Sequence, residues 1–148
     1  VLHHTGDMRA AIARAAVMVA PGGLLALALY RRTWLDPVWV AEKRWYKGAG
    51  PRGQRLAQQA YVGLFRLGLA ATGRSYATHV AGYKDRGMDF YHDVHDWLGG
   101  YPYEAILAPE LDALVAPMGL EKVRVFARGR AIGLLGSGCD EYVYRRRG

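Results

Sequence analysis

Seven consecutive apolar residues, Leu24-Leu25-Ala26-Leu27-Ala28-Leu29-Tyr30, lie between Pro21-Gly22-Gly23 and Arg31-Arg32. Their length suits a strand and is short for a helix, and a continuous apolar run predicts a strand buried on both faces. Such strands belong to parallel sheets covered by helices, and each is reached through a crossover that is usually a helix. The preceding segment supplies that crossover. Met8, Ile12, Ala15 and Val19 fall on one helical face, Asp7 stands at the N-cap position, and Pro21-Gly22-Gly23 stops the helix. Only Val1-Leu2 remains where the partner strand should end, so the chain is expected to begin inside a βαβ unit.

A chain of 148 residues with 51% hydrophobic and 22% charged content reads as one ordinary globular domain. Its single cysteine, Cys139, excludes an intramolecular disulfide and a multi-cysteine metal centre, and fits a reducing compartment. The net charge of +7 favours anionic partners, although Arg145, Arg146 and Arg147 read as a basic tail. The stretch from Ala10 to Tyr30 carries only Arg14 but is cut by Pro21-Gly22-Gly23, and Tyr61 to Thr72 is short and contains Arg66. Neither is expected to span a bilayer, and a cytoplasmic protein without a transmembrane segment is the expectation.

From Thr33 to Lys84 the pattern is helical. Trp34, Val38, Ala41 and Trp45 share one face, and Leu56, Ala60, Leu64, Leu67 and Ala71 share another after the break at Gly48, Gly50 and Pro51. A short helix from Ser75 to Lys84 follows Gly73. Between Asp85 and Glu104 the residues turn to Gly, Asp, His, Trp and Tyr, which reads as an ordered loop where polar and aromatic groups concentrate. Pro109 suits the first turn of a helix carrying Leu111, Leu114 and Val115 and stopped by Gly119. Leu120 to Phe126 and Glu141 to Tyr144 alternate like strands, separated by Gly129, Gly133, Gly136 and Gly138, and are expected to pair antiparallel.

Two sets of residues carry a family resemblance. Val1-Leu2-His3-His4-Thr5-Gly6-Asp7 followed by Ala20-Pro21-Gly22-Gly23-Leu24-Leu25 resembles the stretch from the fourth to the fifth strand of class I S-adenosylmethionine-dependent methyltransferases. Arg86-Gly87-Met88, His92-Asp93, Asp96-Trp97-Leu98-Gly99-Gly100-Tyr101-Pro102-Tyr103-Glu104 and Gly138-Cys139-Asp140-Glu141-Tyr142-Val143-Tyr144-Arg145 resemble a subgroup related to quinol and small-molecule methylases. The resemblance implies an α/β fold, the C-terminal part of a Rossmann-like methyltransferase sheet in one partial domain. Its parts would be a strand end and helix (1–23), a strand (24–30), a helical cap insertion (33–84), a site loop (85–107), and a helix with a terminal antiparallel strand pair (108–146). It also implies S-adenosylmethionine as cofactor and a small-molecule methyl acceptor. Leu2, His3 and His4 would line the cofactor pocket, while Tyr30, His92, Asp93, Asp96 and Trp97 would face or brace the acceptor.

The glycine-rich turn and ribose-binding carboxylate that hold a nucleoside in doubly wound sheets are not found in this chain. The glycines from Gly129 to Gly138 do not run from a strand into a helix and are no substitute. The chain is therefore expected to be the C-terminal portion of such an enzyme, with the N-terminal half as its partner, and to be inactive and bind the cofactor poorly alone.

Other readings rest on the residues themselves. Tyr30, ending the apolar run, either faces the mouth of a site or caps the sheet. His92 and His95 have the spacing of a metal pair on a helix, but no further ligands lie nearby in sequence, and no metal site is expected. The same cluster also suits a hydrogen-bond network bracing Gly99-Gly100. Trp34, Trp39, Trp45 and Tyr46 interleave with Arg31, Arg32, Lys43, Arg44 and Lys47, a composition that can contact single-stranded nucleic acid or an anionic membrane. The shared stripe of Trp34 and Trp45 instead predicts packed tryptophans with Lys43, Arg44 and Lys47 solvated. The alternative to an enzyme is a non-catalytic basic adaptor for nucleic acid or an acidic surface, which requires tryptophans exposed beside basic residues.

Overall fold

Asp7 accepts a hydrogen bond from the Ala10 amide at 2.9 Å and so starts the first helix, α1 (Met8–Val17), as its position in the sequence predicts. The computed structural model describes residues 2–85, 87–127 and 138–148. After α1 come β1 (Leu24–Tyr30), α2 (Asp36–Gly48), α3 (Pro51–Ala71), α4 (Tyr76–Lys84), α5 (Phe90–Gly99), α6 (Ala108–Val115), β2 (Leu120–Phe126) and β3 (Cys139–Arg146). This is a mixed α/β chain whose described strands form one antiparallel sheet of order β1-β3-β2. The residues group into two compact units, Val1–Val40 with Pro102–Gly148, and Ala41–Tyr101. Among the described residues no helix is long and apolar enough to cross a membrane. Val1, Arg86 and the glycines at 129, 133 and 136, used above, lie outside the described residues.

In the first unit the expected strand pair forms. β3 runs antiparallel to both β1 and β2, so β1 and β2 point the same way. Leu25, Leu27 and Leu29 bury one face of β1 against a core that includes Met8 and Ile12 of α1, Leu111 and Val115 of α6, and Tyr142 and Tyr144 of β3. The other face, with Leu24, Ala26 and Ala28, is exposed. The expectation of a strand buried on both faces is thus corrected: the run is uniformly apolar, but small alanines alternate with leucines, and only the leucine face packs. Leu2–His4 is a turn of 3-10 helix rather than a strand end.

The basic end of the chain is not a free tail either. Gly22 N–H donates to the Arg146 carbonyl and Arg146 N–H to the Gly23 carbonyl, at 3.0 and 2.9 Å. The Arg146 guanidinium reaches the carbonyls of Ala16, Val17 and Val19 at the end of α1, where a cation meets the negative end of the helix dipole. Arg147 donates to the Glu121 carboxylate at 2.6 Å.

In the second unit, Pro51, read above as part of the break, begins α3, and Ser75, read as the first helical residue, caps α4 through its hydroxyl. The loop expected over 85–107 contains a helix. The Asp89 carboxylate accepts from the Tyr91 and His92 amides and starts α5, while Phe90, Val94 and Leu98 recur every fourth residue and are buried with Tyr46 of α2. The apolar period was present but masked by the His and Asp residues between.

Candidate functional site

In the first unit a cluster of rings forms at the carboxyl end of β1. The His3 ring lies 4.0 Å from that of Tyr30, His4 packs edge-on against His3 at 4.4 Å, and Tyr30 stacks on Tyr103 at 5.1 Å. The segment after Pro102 runs beside the end of the strand: Ile106 N–H donates to the Tyr30 carbonyl at 3.0 Å, and Glu104 N–H to the His3 carbonyl at 3.0 Å. The Glu104 carboxylate accepts from the Met8 amide at 2.8 Å, holding this segment to the start of α1. His4 Nδ1 is 2.8 Å from the Pro102 carbonyl, which fixes its ring. A recess of about 250 Å³ lies alongside, lined by Arg9, Arg32, Asp36, Tyr103 and Glu104 among others.

His3 is the unusual member. It is buried, and its Nδ1 finds no hydrogen-bond partner among the described residues. Burial lowers its pKa from 6.5 to about 4, so the ring is neutral near pH 7. A buried polar atom without a partner is costly, which marks this nitrogen as a group suited to a ligand contact.

The expected acceptor residues divide. Tyr30 joins His3 and His4 in the first unit, with Leu2 in the same 3-10 turn. His92, Asp93, Asp96 and Trp97 lie on α5 in the second unit. There His92 and Asp96 are exposed, Asp93 accepts from the Tyr83 hydroxyl at 3.0 Å, and Trp97 is half-buried against Tyr61, with ring centroids 5.2 Å apart. His95 does not pair with His92. Gln58 donates to the Tyr46 hydroxyl at 2.7 Å, which sits 2.6 Å from His95 Nδ1. Among the described residues no group of three or more His, Cys, Asp or Glu side chains could hold a metal ion.

Residues that sequence reasoning missed surround Trp97. Lys43, expected to be solvated, is 0% exposed. Its Nζ donates to the Trp97 carbonyl at 2.6 Å, lies 3.6 Å from the centre of a Trp97 ring and 3.5 Å from the Glu42 carboxylate. Burial pushes the Lys43 pKa down and that of Glu42 up, each partly opposed by the other's charge. The signal lay in the spacing of Lys43 and Tyr46, which bury one face of α2 together. The expected packing of Trp34 and Trp45 is corrected: Trp45, on the opposite side of α2 from that inward face, is 56% exposed, and Trp34, which precedes the helix, is 75% exposed. Near Trp34, the guanidiniums of Arg31 and Arg32 are engaged by Asp140 and Glu110.

Comparison with protein-family models, with curated proteins and with solved structures finds no match to this chain.

Proposed function

We propose that the chain forms the C-terminal portion of an S-adenosylmethionine-dependent methyltransferase acting on a small-molecule acceptor. The observation that carries the reading is His3, a buried neutral imidazole with an unpartnered nitrogen beside Tyr30 at the carboxyl end of β1. The strand order adds support: β3 is reversed between two strands of common direction, as where a mainly parallel sheet carries an antiparallel strand.

When bound, the cofactor supplies a methyl group on a positively charged sulfur, open to in-line displacement by the acceptor's lone pair. His3 fits such a neighbour because a neutral ring offers a hydrogen bond without repelling the positive charge. The stacked rings of Tyr30 and Tyr103 form an apolar wall that keeps water from one side of the site. His4, fixed by the Pro102 carbonyl, and Glu104, fixed to the start of α1, hold the wall in place. On the acceptor side positioning matters more than proton transfer unless the nucleophile is weak at neutral pH.

The test is isothermal titration with S-adenosylhomocysteine of the 148-residue chain and of the same chain extended upstream. The reading predicts binding by the extended form and little or none by the shorter one. Absence of binding by both, each folded by circular dichroism, contradicts it. One observation favours the second reading, a basic surface-binding adaptor: the exposure of Trp34 and Trp45. Against it stand the burial of Lys43 and the ion pairing of Arg31 and Arg32.

A further inference from the structure

α3 is apolar on two faces. One, with Tyr61, Phe65 and Leu69, packs within its own unit. The other carries Leu56, Ala60, Leu64, Leu67 and Ala71, spaced by four, four, three and four residues and so aligned along the helix. All five are exposed, and Leu56, Leu64 and Leu67 expose 66%, 66% and 68% of their surface. Gly53 belongs to this same face, and the exposed Trp45 ring comes within 3.9 Å of where a Cβ at Gly53 would stand. The tryptophan therefore extends one end of the leucine stripe. The packed opposite face anchors the helix, so the stripe cannot turn inward without breaking that core.

The charges beside the stripe have one sign. α3 contains Arg52, Arg55 and Arg66 and no acidic residue, and Arg74 follows two residues after its C-cap; all four arginines are exposed. A recess of about 560 Å³ brings Arg66 and Arg74 together with Leu67, Ala70 and Tyr76, placing two guanidiniums beside apolar side chains. A helix with leucines and a tryptophan on one face and arginines along its flank matches the boundary between anionic headgroups and acyl chains, where long cationic side chains reach outward to phosphate. Two copies of α3 packed stripe to stripe and antiparallel would instead bring arginines against arginines.

We propose that the outer face of α3, with Trp45 at its end, docks the protein on an anionic lipid surface, with the leucines entering the headgroup boundary and Arg52, Arg55, Arg66 and Arg74 meeting lipid phosphates. The inference is independent of methyl transfer.

The test is sedimentation of the full chain with phosphatidylcholine vesicles, with and without phosphatidylglycerol, at low and high salt. The proposal predicts binding at least about tenfold stronger to the anionic vesicles, weakened by salt. Leu64→Ser with Leu67→Ser removes the binding while leaving the charge and the helical circular dichroism unchanged; Arg52→Gln with Arg55→Gln and Arg66→Gln weakens it and erases most of the salt dependence. Equal or no sedimentation with the two vesicle types overturns the proposal. So does binding that survives the serine substitutions, which would mean adsorption through other basic residues. A parent dimer by light scattering that the serine variant converts to monomer also overturns it and assigns the face to a second copy.

Discussion

His3 couples the candidate site to the stability of the fold. Its folded pKa of about 4 lies below the ordinary 6.5, so as pH falls the unfolded chain takes up this proton first. The stabilisation from a neutral His3 is complete above about pH 6.5 and is lost progressively as pH falls toward about 4. By about pH 5 the loss is on the order of 1 kcal/mol after allowance for solvent screening. Urea midpoints across this range should fall more steeply for the parent than for His3→Asn; equal slopes would show that the ring titrates normally. His3 and His4 stand out in the sequence because the family pattern puts them at a strand-to-helix turn, although Leu2–His4 forms a turn of 3-10 helix. Lys43 does not: its charge reads as solvent-facing, and its burial is offset by the Trp97 carbonyl, 54 residues away, together with the Glu42 carboxylate.

At the scale of elements, the caps and breakers were the clearest text. Asp7, Pro51, Ser75 and Pro109 start helices where local chemistry places them, and Gly119 takes the left-handed φ of 74° that lets the chain turn into β2. Period was less legible. In β1 the alternation was one of side-chain size, and in α5 the buried positions were interrupted by Asp and His. Arg146 shows a third difficulty, since a run of three arginines at a chain end gives no hint that the middle one caps a helix ending about 130 residues earlier. Arg146→Gln should cost about 1–2 kcal/mol, read as a lower urea midpoint with unchanged slope, because it removes a charge-assisted cap. An unchanged midpoint would mean that water serves those carbonyls equally well.

At the scale of the molecule, the pairing of the last two strands was readable from their alternation, whereas their placement was not. Insertion of β3 between β1 and β2 depends on long-range register, with Leu25 opposite Tyr144 and Leu27 opposite Tyr142, so that leucines and tyrosines share the buried face. The division into two units was likewise not signalled by composition, because α2 runs on from Val40 into Ala41 without a break. What the molecule does rests on whether the carboxyl end of β1 faces a nucleoside cofactor. The most direct measurement is the histidine-ring NMR spectrum of the upstream-extended chain as S-adenosylhomocysteine is added to saturation. The account predicts that the ring signals of His3 and His4 move while that of the exposed His92 stays in place. Saturated binding that leaves His3 and His4 unmoved would contradict it.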